Sequence, residues 1–546
     1  LPKKKKKQKK DDDIALLDLA VLGEELLTSR LHVNNLVVLL EFISPKSQPH
    51  YLLESLLSLQ SFFTPLRSQL SRSKCSSSAD SDPETVYRTW LRSKFDEFVR
   101  CLIGVAVSSE SLDDIKEVVL GTIMDFVKEG NAGKFHSNIY HKLLIAMVHS
   151  ALGNGDALLD LLASKYFTYV DVRYFTYISL EKLTRTLEGK GKSSFHKEHC
   201  IRKIYQLLSN VPPLDLEENI KTWSALGLFS SKDENTDLEN DPSNYDKSST
   251  DKVLLPKKII KKMKLKFSKA WISFLRLELP VDVYKEVLAT LHEAVIPYLS
   301  NPTVLCDFLT QSYDIGGVVS VMALSSLFIL MTENGLEYPN FYTKLYGLLE
   351  PSIFLAKHRS RFFQLLDSCL KSPLLPAYLA AAFCKKLSRL VLFAPPSGAL
   401  VITALVHNLL QRHPSIYFLV HQEEINLDSS VKSNSGNGIR GVDLFRYEED
   451  DPKKSNAMRS SLWEMDTLRH HYCPAVSRFA ISLENDLSSK SKAAEVAVKD
   501  FSSGSYATIF NDEMRRRVKQ VPLAFYNEMP SALFSESDFP GWKFEF

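Results

Sequence analysis

Residues 375–396 read LPAYLAAAFCKKLSRLVLFAPP, and this stretch decides the fold class. Leu379, Phe383, Leu387 and Leu390 recur at steps of three and four, the spacing that lines one side of an α-helix. Pro376 opens this run and Pro396 opens the next. Proline suits the first helical turn, where its missing N–H is not needed. Lys385, Lys386 and Arg389 fall between the apolar positions and are expected to face outward.

Working outward, the same punctuation recurs. Helix starts are expected near Pro280, Pro302, Ile315, Pro339, Pro351, Pro376 and Pro396. Two such intervals make a helix pair of roughly 39 residues, near the repeat length of HEAT and armadillo stacks. Tyr284, Leu288, Leu291 and Val295 form a second stripe, and Phe362, Leu366, Cys369 and Leu370 a third. Each pair leaves an apolar face that only the next pair covers. The predicted fold is therefore all-α, a HEAT/armadillo-like helical-repeat solenoid with an extended C-terminal tail. Residues 315–331 are apolar apart from Ser320, Ser325 and Ser326, but lack interfacial anchors and sit at the lower limit for spanning a bilayer. They read as a core helix, and no membrane contact is expected.

The N-terminal half is helical too. Leu16, Leu19, Leu22 and Leu26 make one stripe, and Ile115, Val119, Ile123 and Phe126 another. Breaks fall at Ser44-Pro45, residues 71–82, Gly153–Gly155 and Pro212-Pro213. The predicted layout is a basic tail over 1–13, a helical domain over 14–229, an acidic linker over 230–252 and a repeat domain over 253–487 with a disordered insertion near 426–444. A linker over 488–505 follows, then a helix near 510–519 and a tail within 506–546 that packs back on the repeats. The chain starts at Leu1, which implies a natural beginning upstream.

The 546 residues carry a formal charge of only +2, so its distribution matters more than its sum. Lys3, Lys4, Lys5, Lys6, Lys7, Lys9 and Lys10 form a block that reads as a nuclear import signal. Residues 232–251 are acidic, and the sign reverses from Val253. Lys257, Lys258, Lys261, Lys262, Lys264, Lys266 and Lys269 then share a helix with an apolar side of Met263, Phe267, Trp271 and Phe274. Two readings stand: a face that touches RNA phosphates, or solvated lysines on a domain's first helix.

Chemistry has no foothold in the sequence. The seven scattered cysteines form no CxxC pair, which fits reduced thiols in a reducing compartment. GKGKSS (189–194) has Thr186 where a phosphate loop needs glycine. His470-His471 near Cys473 lacks the further spaced ligands of a metal site. No nucleophile elbow, zincin helix or dinucleotide fingerprint occurs, so neither an enzyme nor a cofactor nor a small-molecule substrate is expected.

A set of ordered blocks carries a resemblance: LPVDVYKEVL (279–288), LHEAVIPYLSNP (291–302), DFLTQSYDIGGVVSVMAL (307–324), GLEYPNFYTKLYGLLEPSIF (335–354), RSRFFQLLDSCL (359–370), NLLQRHPS (408–415), DPKKSNAMRSSLWEMDTLRHHYCPAV (451–476) and VPLAFY (521–526). With 375–396, they resemble the nucleolar complex protein 4 family, within the CCAAT-binding-factor-like group of ribosome-assembly proteins. The resemblance implies a non-catalytic nucleolar scaffold for 18S precursor rRNA processing. It also implies a heterodimer with nucleolar protein 14 inside the U3-containing small-subunit processome, the 90S pre-ribosome. A nuclear transport or adaptor protein is the competing reading, since karyopherins also stack helix pairs.

In SYDIGG (312–317), Asp314 is placed to cap the following helix and the glycines to allow close helix approach. EYPNFYTKLY (337–346) supplies Tyr338, Phe341, Tyr342 and Tyr346 for packing or for a partner. The candidate partner groove comprises those four with Tyr313, Asp314, Arg359, Arg361, Phe362, Lys385, Lys386 and Arg389, because tyrosine and arginine are frequent interface anchors.

Overall fold

The computed structural model describes residues 16–70, 83–128, 133–150, 156–189, 194–213, 221–224, 251–356, 359–420, 443–484, 495–502 and 504–516. The basic tail, residues 190–193 within GKGKSS, most of the acidic stretch and of the 426–444 insertion, VPLAFY and the closing residues lie outside them, as does the side chain of Lys257. Among the described residues there are helices and helical turns but no strand. The chain is an all-α helical-repeat protein, as its periodicity predicts.

Two compact units divide after Glu337. In the first lie α1 (Leu16–Thr28), α2 (Asn35–Glu41), α3 (Pro49–Leu70), α4 (Pro83–Val107), α5 (Asp113–Lys128), α6 (Ser137–His149), α7 (Asp156–Leu161), α8 (Val170–Glu188), α9 (Ser194–Asn210), α10 (Asp251–Leu275), α11 (Val281–Ala294), α12 (Cys306–Asp314) and α13 (Gly317–Glu333). Their main packing partners lie one to three helices along the chain, the local pattern expected of stacked repeats. Sequence and dipole agree at α5, which starts on Asp113-Asp114 and ends on Lys128.

The unit boundary falls 85 residues beyond the acidic stretch, because α10 packs backward onto α8. Ile259, Met263, Phe267, Ala270, Trp271 and Phe274 are buried, and the rings of Phe267 and Tyr177 meet edge-on at 5.5 Å. Nearby, the fully buried Asp171 carboxylate accepts from the backbone N–H groups of Trp223 and Ser224, both at 2.8 Å. Those bonds anchor residues 221–224 against α8.

The second unit holds α14 (Phe341–Gly347), α15 (Arg359–Cys369), α16 (Ala377–Val391), α17 (Pro396–Arg412), α18 (Trp463–Thr467), α19 (Pro474–Ile481), α20 (Val498–Ser502) and α21 (Tyr506–Arg515). Pro376 is the N-cap of α16 and Pro396 begins α17, as expected. Pro302 and Pro351 open only 3-10 turns, so the spacing of prolines is more regular than the helices they introduce. Every residue of α17 from Pro396 to Leu410 is buried. Gly398 permits this closeness: a Cβ there would lie 2.7 Å from Phe354 Cδ1.

Residues 495–502 are not a linker. Asn408 exchanges two hydrogen bonds of 2.9 Å with the backbone of Val496, and Arg412 reaches both Asp367 and Glu495. Ser502 bonds Ser360 and Gln364, so α20 is packed against α15 and α17. The final helix starts four residues earlier than expected, because Ser505 and Thr508 form a reciprocal capping box.

Candidate partner and RNA surfaces

The lysines of α10 lie opposite its buried face. Lys258, Lys261, Lys262 and Lys269 are exposed, while Lys264 and Lys266 are half-buried. Positions 258, 261, 262, 265 and 269 follow helical spacing along one outer side. After Asp251, its first residue, α10 carries no acidic side chain, so its outer side is strongly basic. Such a face attracts phosphates irrespective of base sequence.

The structure disperses the twelve candidate partner residues. Tyr313 and Asp314 belong to the first unit, the other ten to the second. Tyr313, Phe341, Tyr346 and Phe362 are buried. Tyr342 is half-buried and its hydroxyl donates to the Cys369 carbonyl at 3.2 Å. Arg359 is half-buried and donates to the carbonyls of Phe354 and Gly504. Asp314 and Arg361 are exposed and Tyr338 half-exposed.

Asp314 is the last residue of α12 and does not cap α13. Gly316 occupies that cap position with φ +88°, a conformation that favours glycine, and nothing lies within 4 Å of where its Cβ would stand. Its N–H donates to Ser320 Oγ at 2.9 Å, and Ser320 in turn donates to the Tyr313 carbonyl. The glycine pair turns the chain; it does not let helices approach.

Lys385 and Lys386 do not face outward. Lys385 has no exposed surface, and its ammonium donates to Glu464 Oε1 at 2.7 Å, Glu464 Oε2 at 2.9 Å and the Ser461 carbonyl at 2.6 Å. Asp443 Oδ2 lies 2.9 Å away. Glu464 is also fully buried. Arg389 donates to Asp443 at 2.6 Å, and its Nε sits 3.0 Å from Glu464 Oε1, within ion-pair range but unaligned for a hydrogen bond. Trp463 completes the cluster, with its Nε1–H on Asp443 at 2.9 Å and the Arg389 guanidinium 4.8 Å above its ring. Lys386 rests 4.0 Å above the Tyr346 ring.

Electrostatics follow from this packing. Burial pushes the Asp443 carboxyl up, but donors from Ser460, Lys385, Trp463 and the Phe445 N–H outweigh it and hold the group well below the ordinary carboxylate range. Burial lowers Lys386, opposed by Asp450 and Glu350. It also pushes the Cys369 thiol up to about 12, leaving it unreactive near neutrality. Buried charges persist only when paired and hydrogen-bonded, and this cluster meets that condition. Its role is to fasten residues 443–464 over α16.

Residues 6–189 match the nucleolar complex protein 4-like TPR-repeat family, and residues 320–480 match the CBF/Mak21 family. The chain is 57% identical to the Arabidopsis thaliana protein NUCLEOLAR COMPLEX ASSOCIATED 4, over 96% of this chain and 95% of the relative. The chain belongs to the nucleolar complex protein 4 family. Nucleolar complex protein 4 homolog B of Xenopus laevis is 35% identical over 86% of this chain and 84% of its own length. The human nucleolar complex protein 4 homolog is 34% identical over 80% and 79%. Membership places the chain in the nucleolus, in a ribosome-biogenesis family without catalysis. TPR repeats are also stacked helix pairs, in keeping with the packing of the first unit. No helix among the described residues is long and apolar enough to cross a membrane.

The sequence also left one exposed stripe unmarked: Tyr506, Phe510 and Met514 lie at four-residue steps on α21, each more than 60% exposed. Its spacing is legible in the sequence, but an expected helix start at 510 removes Tyr506 from view.

Proposed function

We propose that this protein is a non-catalytic scaffold for small-subunit ribosome biogenesis, holding a protein partner and precursor 18S rRNA in one geometry within the U3-containing 90S pre-ribosome. The partner is nucleolar protein 14, as a stable heterodimer. The observation that carries the reading is the lysine face of α10, a helix with no acidic residue after Asp251, backed by an apolar side that packs on α8. A rigidly mounted cationic face binds phosphates without reading bases, which suits a long folded RNA.

Protein contact falls to the candidate residues with the most accessible surface, Asp314, Tyr338 and Arg361, because Tyr313, Phe341, Tyr346, Phe362, Lys385 and Lys386 are buried inside their units. Affinity purification of the full chain tests both parts. Recovery of nucleolar protein 14 with U3 and precursor 18S RNA supports the scaffold. Recovery of nucleoporins and a small GTPase in their place would point to a transport adaptor. Charge reversal at Lys258, Lys261, Lys262 and Lys269 is expected to weaken particle association while leaving the heterodimer intact.

A further inference from the structure

Three potential ligands meet in the first unit, outside every surface discussed above. His149 is the last residue of α6, and His196 and Cys200 are four residues apart on α9, hence on one side of that helix. Cys200 Sγ lies 3.3 Å from His149 Nδ1 and 3.8 Å from His196 Nε2. The two imidazoles stack, 5.2 Å between centroids and 15° from parallel. All three ligand atoms lie within 4.8 Å of one another, and this is the single group of three His, Cys, Asp or Glu residues so gathered among the described residues.

We propose that His149 Nδ1, His196 Nε2 and Cys200 Sγ bind a zinc-class divalent cation, with a solvent molecule as fourth ligand. Zinc bonds of about 2.3 Å to sulfur and 2.0–2.1 Å to nitrogen, at tetrahedral angles, separate S and N by about 3.6 Å. The two observed separations bracket that value. One thiolate and two imidazoles are a borderline-soft set that selects zinc over magnesium or calcium. Binding takes the proton from the Cys200 thiol and releases it to solvent, forming the S–metal bond. His149 is exposed and Cys200 buried, so the cation has an entry side and a closed floor.

The surroundings hold the ligands in place. His199, the residue before Cys200, is buried and its Nε2 bonds the Ser150 carbonyl. That bond pins the end of α6 against α9 and keeps His199 itself engaged elsewhere. A cation here clips together two helices whose ligands lie 51 residues apart in sequence. The rival candidate at His470, His471 and Cys473 is not gathered: His471 Nδ1 accepts from the Cys473 N–H at 3.0 Å, and its ring stacks on Tyr472.

The full chain, stripped by a chelator and kept reduced, is titrated with Co2+ as the probe. One equivalent is expected to give a near-ultraviolet thiolate-to-metal band and tetrahedral visible bands, both erased by stoichiometric Zn2+. Cys200→Ala is expected to remove the near-ultraviolet band with the helical circular dichroism unchanged. His149→Ala, at an exposed position, removes a ligand outright and is expected to weaken affinity by more than the about 10- to 100-fold that follows loss of a ligand's outer-shell partner. With Zn2+ a hundredfold above its Kd, the unfolding equilibrium is expected to shift by about 100-fold toward the folded chain. Absence of a thiolate band, or a band of equal strength in folded Cys200→Ala or unaltered affinity in His149→Ala, overturns the site.

Discussion

Replacing Glu464 by alanine withdraws both carboxylate oxygens, at 2.7 and 2.9 Å, from an ammonium with no exposed surface. Removing one partner of a buried ion pair costs about 3–5 kcal/mol, because the other charge stays buried and uncompensated. Lys385 keeps the Ser461 carbonyl and Asp443, which places Glu464→Ala at the lower end, about 3 kcal/mol. At 1.36 kcal/mol per factor of ten, that is about a 160-fold increase in opening of residues 443–464 from α16. The Leu462 amide reports it, since its N–H donates to the Leu419 carbonyl at 2.9 Å and exchanges with solvent when the segment lifts. Hydrogen exchange followed by mass spectrometry on the full chain reads this without requiring two-state unfolding. The paired replacement Lys385→Met with Glu464→Leu is expected to recover most of the protection, because neither charge of the fully buried pair remains to be desolvated and Asp443 keeps Arg389 as its partner. A change under about fivefold for Glu464→Ala, roughly 1 kcal/mol, would refute the buried-pair reasoning, as would a double variant that exchanges faster than the single.

Other outcomes follow from the same structure. Gly316→Ala is expected to cost about 1–3 kcal/mol and loosen the start of α13, read by thermal unfolding, since φ +88° is strained for any residue with a Cβ. Asp171→Ala strands the N–H of the buried Ser224 and is expected to cost about 1–3 kcal/mol, with faster exchange confined to residues 221–224 and the start of α8. Burial lowers the pKa of His407 and of His413, so their contribution to stability is full above the unfolded value of about 6.5 and is lost as pH falls toward their folded values. The denaturation midpoint of the second unit is therefore expected to drop between pH 7 and 5.5, and His407→Gln with His413→Gln to flatten that slope. The depressed Asp443 carboxyl carries the same sign but is lost only in much stronger acid, so the Lys385 cluster stays intact across that interval.

Local periodicity reveals what is local. The stripes Phe362–Leu370 and Leu379–Leu390 are buried as their spacing implies, and the apolar and basic sides of α10 separate as read. Long-range pairing leaves no such trace. Lys385 looks like an outward residue because its neutralising acids stand 58 and 79 positions away, at Asp443 and Glu464. Residues 495–502 read as a linker because their partners, Asn408 and Ser360, lie on distant helices. The histidine–cysteine cluster escaped for the same reason: His196-x-x-x-Cys200 is visible in sequence, but His149 joins it only through packing of α6 on α9.

The lysine face of α10 is the feature on which the scaffold reading rests, and ultraviolet RNA–protein crosslinking of the purified native particle addresses it directly. Peptides spanning Lys258–Lys269 are expected to carry precursor 18S RNA, and the crosslinks are expected to vanish when Lys258, Lys261, Lys262 and Lys269 are reversed in charge. Crosslinks confined to other segments, together with undiminished particle association of the charge-reversed chain, would contradict it.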